Sequence, residues 1–333
     1  MEIKGIKYAL VLALALTLTN PSGSAWALEA EELVPVGSAV GIDLETEGVV
    51  IVGFSEVETD AGAVSPAAEA GLMEGDVILR VGPRPTDTAA AFLSAMGAAD
   101  GSALDVTARR HGREVHVLVT PAQSREGGYQ LGLWLRDGVS GIGTVTFFDP
   151  ETGVFGALGH GINDLESGEL LPFDNGCITG AAVVDVIPGA AGAPGELCGR
   201  FDREDVLGTL EKNTDRGVFG TMRLPGGGAP VPVAGEDEIR LGPAVIRSNV
   251  RGAEVRDYQV EISRIYHGAA DNRFLLLTVT DPELIAVTGG IVQGMSGSPI
   301  LQNGKLVGAL THVLLSDPLR GYGISIQRML EAA

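Results

Sequence analysis

The stretch Gly289-Gly-Ile-Val-Gln-Gly-Met-Ser-Gly-Ser-Pro299 carries a serine between glycines, and apolar runs typical of β-strands flank it on both sides. Side-chain bulk around Ser296 is small, so a substrate carbonyl could approach its hydroxyl. The small residues also let the amides of Gly294 and Ser296 turn towards a single point. An exposed hydroxyl and converging amide donors are what acyl transfer requires. The alternative is a glycine-rich hairpin corner that carries a serine by chance.

The composition favours a mainly β protein with more than one domain. The chain has 333 residues, enough for two ordinary domains. Apolar residues make up 45% and aromatic residues 5%, alongside 48 glycines, which favours many short strands and turns over long helices. The net charge of −20 argues against a nucleic acid partner, because polyanion binding depends on clustered Lys and Arg.

The amino terminus has the pattern of an export signal. Lys4 and Lys7 precede the apolar run Tyr8–Leu18, and the small-residue site Ala25-Trp26-Ala27 follows it. The apolar run is shorter than the ~20 residues that a membrane span usually needs. Residues 1–27 are therefore interpreted as a signal peptide or signal anchor. We expect the protein to be exported across the cytoplasmic membrane and to meet the membrane only through this segment.

The chain has two cysteines, Cys177 and Cys198. A disulfide is permitted in an exported protein, but two cysteines do not make a disulfide scaffold. Whether they pair is left open. Without a nearby pair of histidines they do not predict a metal site, and no metal or organic cofactor is expected.

Residues 33–123 combine short strands with one clear helix, which is predicted to begin at Asp87 or Thr88 and to run to Met96. The order of these elements, and above all SPAAEAGLMEGDVIL at residues 65–79, resembles a PDZ domain of envelope proteases. In such domains a peptide adds as an extra strand beside a loop whose amides bind its terminal carboxylate. The resemblance implies that this loop consists of Val40, Gly41, Ile42 and Asp43. The alternative is a spacer without a ligand.

Residues 128–333 form the second predicted domain, after a linker at residues 123–128. Two of its histidines are candidate general bases for Ser296, because the base must reach the serine oxygen. His160 lies between glycines at the end of a predicted strand, and His312 lies in the strand-like run Val-Gly-Ala-Leu-Thr-His-Val. By composition alone the acid that orients the base could be any of several aspartates: Asp164, Asp185, Asp202, Asp215 or Asp281.

Four motifs, in this order, make the second domain similar to the SpoIVB peptidase family, the stage IV sporulation protein B. They are Gly-Ile-Gly-Thr-Val-Thr-Phe-Phe-Asp-Pro, Gly-Ala-Leu-Gly-His, Thr-Asp-Pro-Glu-Leu and the serine stretch above. The resemblance implies that Ser296 is the nucleophile, His160 the general base and Asp281 the acid that orients it. The amides of Gly294 and Ser296 would form the oxyanion hole. Ser298, two residues beyond Ser296, is the rival nucleophile.

The surroundings of Ser296 also resemble those in chymotrypsin-like proteases, whose fold is a pair of antiparallel β-barrels. The predicted architecture is therefore mainly β, with an N-terminal PDZ-like domain followed by a chymotrypsin-like double β-barrel serine peptidase domain. In most chymotrypsin-like enzymes the acid lies well before the serine and nearer the histidine. Asp281 is only fifteen residues ahead of Ser296, so it departs from that order.

The SpoIVB resemblance implies a serine endopeptidase of the sporulation signalling pathway. Such a peptidase acts in the space between the forespore and mother-cell membranes. It cleaves itself and a membrane-bound regulatory protein, and so triggers processing of a sigma factor precursor. One alternative is a non-catalytic, PDZ-bearing scaffold that binds peptides. A second is a general envelope quality-control serine protease, although such proteases usually carry the PDZ domain after the catalytic domain.

Overall fold

A computed structural model describes residues 30–164, 168–224, 227–268 and 272–333. The predicted signal segment, residues 1–27, lies outside the described residues. Within the described ranges, no helix combines the length and the apolar character that crossing a bilayer requires.

Six antiparallel strands close a first β-barrel, in the order β2-β11-β12-β15-β14-β13 and back to β2. They are β2 (Ala39–Phe54), β11 (Leu133–Phe148), β12 (Val154–Ala157), β13 (Asn175–Ile187), β14 (Glu196–Thr214) and β15 (Gly217–Met222). Two short strands, β1 (Glu32–Pro35) and β16 (Val231–Pro232), extend the sheet beside β11. Phe155, Ile178 and Val218 are fully buried in this barrel and form part of its core.

A second closed barrel follows in the chain, in the order β17-β18-β19-β22-β21-β20. Its strands are β17 (Gly242–Ser248), β18 (Arg256–Ile265), β19 (Leu275–Val279), β20 (Pro299–Gln302), β21 (Lys305–Leu314) and β22 (Asp317–Ser325). A 3-10 helix (Glu236–Glu238) precedes it, helix α3 (Pro282–Thr288) follows β19, and helix α4 (Ile326–Leu330) follows β22. Tyr258, Val260 and Ile262 alternate with exposed residues along β18 and point into the core, as a half-buried strand requires. The two barrels confirm the predicted double β-barrel fold.

The remaining elements form a module with its own core, inserted between β2 and β11. They are β3 (Val57–Thr59), β4 (Gly62–Val64), α1 (Pro66–Glu69), β5 (Val77–Val81), β6 (Arg84–Pro85), α2 (Ala89–Met96), β7 (Leu104–Arg110), β8 (Arg113–Val119), β9 (Ala122–Gln123) and β10 (Tyr129–Gln130). We call residues 46–137 the inserted module. Helix α2 begins where the sequence predicts, because the Thr88 side chain accepts a hydrogen bond from the Ala91 amide at 3.1 Å. The PDZ-like identity of the module stays a prediction.

The predicted domains, residues 33–123 and 128–333, do not coincide with the observed units. The reason is that β2 and β11 each run through both the first barrel and the inserted module. Residues 39–45 of β2 pair with β11 and β13 inside the barrel, whereas Val49 and Val50 pair with β5 of the module. At the other end, Leu131 belongs to the core of the module. The module is therefore an insertion into the first barrel, and it does not precede the catalytic domain as a separate unit.

The predicted peptide-binding loop, Val40 to Asp43, is wrong. These four residues lie in the middle of β2 and pair on one side with β11 and on the other side with β13. Val40 and Ile42 point into the core of the first barrel. Their backbone groups are used in two sheet ladders, so they cannot also bind a peptide carboxylate.

The two cysteines lie on neighbouring strands but far apart along them. Cys177 is opposite Thr209, and Cys198 is opposite Asp185. Residues 177 and 185 of β13 are thus eight positions apart along the strand, and each position adds ~3.3 Å. A disulfide needs Cα atoms within ~7 Å of each other, and the two cysteines are too far apart for that. The two cysteines therefore do not form a disulfide with each other.

Candidate active site

The turn that carries Ser296 depends on its two flanking glycines. Gly294 and Gly297 have φ of +94° and +97°, in the left-handed region that side chains disfavour. A Cβ at Gly297 would also overlap the carbonyl oxygen of Thr144 on β11. Met295 between them is fully buried and anchors the turn in the second barrel. Glycine is therefore required on both sides of Ser296 by backbone geometry.

Two amides of this turn, both in residues that line the cleft, have no acceptor in the part of the chain that the structure describes. Among the residues that the structure describes, neither the Gly294 nor the Ser296 N–H donates a hydrogen bond, and both residues line the cleft. The other amides of the turn are used: Met295 donates to Val292, Gly297 to Leu310 and Ser298 to Met295. The predicted oxyanion hole thus coincides with two unoccupied donors.

The two serines of the turn differ in their surroundings. The Ser296 Oγ donates to the Thr311 carbonyl at 2.6 Å and lies at the wall of the cleft. Ser298 is fully buried, and its Oγ donates to the Met295 carbonyl at 2.7 Å. Both hydroxyls are bonded to the backbone, but only that of Ser296 belongs to a residue that lines the cleft, which favours Ser296 over Ser298 as the nucleophile.

His160 follows β12 of the first barrel. Leu158 and Gly159 before it have φ of +68° and +70°, so the chain turns sharply at the end of the strand. The His160 Nδ1 donates to the Gly161 carbonyl at 2.8 Å, which leaves Nε2 as the nitrogen that can accept a proton. Burial lowers the pKa of His160 from 6.5 and outweighs the bond to Gly161, which raises it. The histidine is therefore neutral at physiological pH, as a general base must be.

The second candidate base, His312, lies beside the first. The centroids of the His160 and His312 rings are 4.8 Å apart, with the planes tilted by 38°. His312 is on β21, directly after Thr311, and its side chain is exposed at the cleft. The fold thus brings together both histidines that the sequence indicated, with His160 the more buried of the two.

Asp281, predicted to orient the histidine, instead caps helix α3. Its carboxylate accepts hydrogen bonds from three backbone amides: Gln259 at 3.1 Å, Glu283 at 2.9 Å and Leu284 at 3.0 Å. Within the described ranges no carboxylate, that of Asp281 included, bonds to the His160 ring, and the Gly161 carbonyl takes that position. The predicted role is corrected on this point. Asp-Pro-Glu at the start of an apolar run is an N-cap signal that was available in the sequence.

The cleft lies between the two barrels and has a volume of about 910 Å³. The first barrel contributes His160, Ile42 and Ile142, and the second contributes Ser296 and Val292. The walls are mostly apolar. Within the described ranges, no group of His, Cys, Asp and Glu is arranged to hold a metal ion.

Of the comparisons with known proteins, the one with family models agrees with a peptidase site. A family model described as SpoIVB peptidase S55 matches residues 127–330. No curated protein matches the chain. Among solved structures, the chain is similar to the inactive form of the Rv3671c protease, with 14% identity and a TM-score of 0.34. That likeness covers 57% of this chain and 81% of the other, and it is too weak to add to the assignment.

Proposed function

Because this chain belongs to the SpoIVB peptidase S55 family and is a serine peptidase, we propose that Ser296 is its nucleophile and His160 its general base. One observation supports this most directly. His160 of the first barrel and Ser296 of the second line one cleft, next to the two unoccupied amides of Gly294 and Ser296.

The proposed reaction begins when the Ser296 hydroxyl rotates away from the Thr311 carbonyl and gives its proton to His160 Nε2. The Oγ attacks the peptide carbonyl, and the amides of Gly294 and Ser296 bind the oxyanion; losing one such donor typically costs ~10²–10³ in rate. His160 then protonates the departing amine, and a water molecule hydrolyses the acyl-enzyme by the same route. The Gly161 carbonyl keeps the proton of the imidazole on Nδ1. In other serine peptidases a carboxylate fixes this tautomer.

The inserted module is proposed to bind peptides at a sheet edge. Residues 133–136 of β11 pair with β2 on one side, and within the described ranges no strand pairs with their other side. Helix α2 packs near this edge, and the exposed side chains of Trp134 and Leu93 lie on these two elements. A peptide could add here as a further strand.

The family supports a more specific role in spore formation. We propose that the chain is exported by residues 1–27 and acts between the forespore and mother-cell membranes. There it would cleave itself and a membrane-bound regulatory protein, and so release processing of a sigma factor precursor. The net charge of −20 is compatible with protein substrates and gives no support to nucleic acid binding.

Self-cleavage provides the experiment that tests this proposal. The purified full chain and its Ser296→Ala variant are incubated, and the fragments are identified by N-terminal sequencing. We expect discrete fragments from the wild-type chain and none from Ser296→Ala. Fragments from Ser296→Ala would contradict the mechanism. Unfolded casein added in excess should remain intact, and its general degradation would favour a quality-control protease.

A further inference from the structure

Strand β11 holds the nucleophile turn through two threonines of the motif Gly-Ile-Gly-Thr-Val-Thr. The Thr144 Oγ1 donates to the Gly294 carbonyl at 2.8 Å, and the Thr146 Oγ1 donates to the Gly297 carbonyl at 2.8 Å. The Thr144 amide also donates to the Ser296 carbonyl at 3.0 Å. Both threonines are fully buried. A strand of the first barrel thus contacts the turn of the second on both sides of Ser296.

Every carbonyl of the turn from residue 293 to residue 297 accepts a hydrogen bond. The donors, in order, are the Leu197 amide, the Thr144 hydroxyl, the Ser298 amide and hydroxyl, the Thr144 amide and the Thr146 hydroxyl. The N–H of a planar trans peptide group points away from its C=O. Because the carbonyls of Gln293 and Met295 are bonded inside the protein, the following amides, Gly294 and Ser296, are directed to the opposite side.

We propose that Thr144, Thr146 and Ser298 are positioning residues whose hydroxyls keep the turn in its oxyanion-binding conformation. The proposal rests on Ser296 being the nucleophile. Glycine adopts many backbone conformations, so Gly294 and Gly297 leave the turn free to rotate its peptide groups. The three hydroxyls remove that freedom, because a rotated carbonyl would lose its buried donor. Thr144 is the strongest case, since from the other barrel it binds two carbonyls of the turn, that of Gly294 through its hydroxyl and that of Ser296 through its amide.

Thr144→Val tests the proposal, because it removes the hydroxyl and nearly keeps the shape of the side chain. The full chain is treated with an alkyl fluorophosphonate, whose phosphoryl oxygen must occupy the oxyanion hole when Ser296 is labelled. We expect the maximal labelling rate of Thr144→Val to fall about tenfold or more. The fall should be smaller than the ~10²–10³ that losing one oxyanion-hole donor typically costs. The half-saturating probe concentration should stay the same. Thr144→Ser, which keeps the hydroxyl, should label at close to the wild-type rate.

Thr86→Val is the matched control. Thr86 is fully buried in the inserted module, and its Oγ1 donates to the Ile78 carbonyl at 2.9 Å. This variant loses the same kind of hydrogen bond away from the cleft. It should lower the unfolding temperature as Thr144→Val does, but leave the labelling rate of the folded protein unchanged.

Two labelling results would overturn the proposal: wild-type labelling by folded Thr144→Val, or an equal loss in Thr144→Ser and Thr144→Val. A crystal structure of Thr144→Val gives a second readout that needs no labelling. It should show the Gly294–Met295 peptide group rotated or disordered, and an unchanged peptide group would overturn the proposal. If the wild-type chain is not labelled at Ser296, the proposed nucleophile fails, and this crystal structure still decides the role of Thr144.

Discussion

The state of His160 is set by its immediate surroundings. The ring is packed against His312 and the walls of the cleft, and desolvation disfavours its charged form. The Gly161 carbonyl fixes the proton on Nδ1. His160 therefore combines a lowered pKa with an accepting Nε2, the two properties that a general base needs near neutral pH.

The labelling rate of Ser296 should rise with pH as His160 loses its proton. Because the pKa of His160 lies below 6.5, we expect the acid limb of the profile to have its midpoint below pH 6.5. A rate profile with the fluorophosphonate between about pH 5 and 8 measures it. The limb should persist in His312→Gln, which removes the neighbouring imidazole. A midpoint above pH 6.5, or loss of the limb in His312→Gln, would contradict this assignment.

Protonation of His160 also makes the free energy of unfolding depend on pH. The unfolded chain binds a proton at His160 near pH 6.5, whereas the folded protein binds it only at lower pH. The contribution of neutral His160 to the free energy of unfolding is therefore present above pH 6.5. It is lost as the pH falls from 6.5 through the lowered pKa of the folded state.

At the level of elements, helix α3 explains why Asp281 looks important in the sequence. Asp281 lies at the end of an apolar strand and before a proline. This position is compatible with a site residue and equally with a residue that caps a helix. The structure shows the cap, with both carboxylate oxygens bonded to backbone amides. A pattern of residues cannot separate these readings, because only the fold determines which side chains reach His160.

Substitutions at Asp281 should affect stability and not chemistry. Asp281→Ala should lower the free energy of unfolding by ~1 kcal/mol. Asp281→Asn should lower it by less, because its amide oxygen can still cap the helix although its NH₂ group cannot accept from Gln259. Both should label at close to the wild-type rate, because the Asp281 carboxylate does not bond to His160. Urea denaturation and the labelling assay measure the two effects.

Thr88→Ala, which removes the cap of α2, is the control for the loss of a cap alone. The alternative hypothesis, that Asp281 orients His160, predicts a different result. An Asn in place of a triad Asp lowers turnover by ~10⁴. A loss of that size in folded Asp281→Asn would mean that Asp281 orients His160 after all.

The long strands show a second limit of sequence reading. β2 and β11 have 16 residues each, although both contain glycines, which in a sequence suggest turns. Gly138 is such a case: the register of β11 shifts beside it, and a Cβ there would overlap the carbonyl oxygen of Leu44. Glycine in a strand marks a bulge or a close approach as well as a turn.

At the scale of the whole molecule, the sequence predicts the parts better than their connection. The double barrel, His160 and the glycine-flanked serine were all indicated by motifs that are local in the chain. No local motif indicated that the module is an insertion, because the pairing that shows it, Ile42 with Gly141, spans the whole inserted module. Pairing over such a distance is set by the tertiary fold, and local pattern carries little information about it.

The central claim is that the cleft between the barrels joins His160 and Ser296 into one catalytic site. The measurement is to treat the full chain with a fluorophosphonate, digest it and map the labelled residue by mass spectrometry. The account predicts a label on Ser296 and none on Ser298, and loss of the label in a His160→Ala protein that is still folded at the assay temperature. A label on Ser298, or full labelling of Ser296 in His160→Ala, would contradict it.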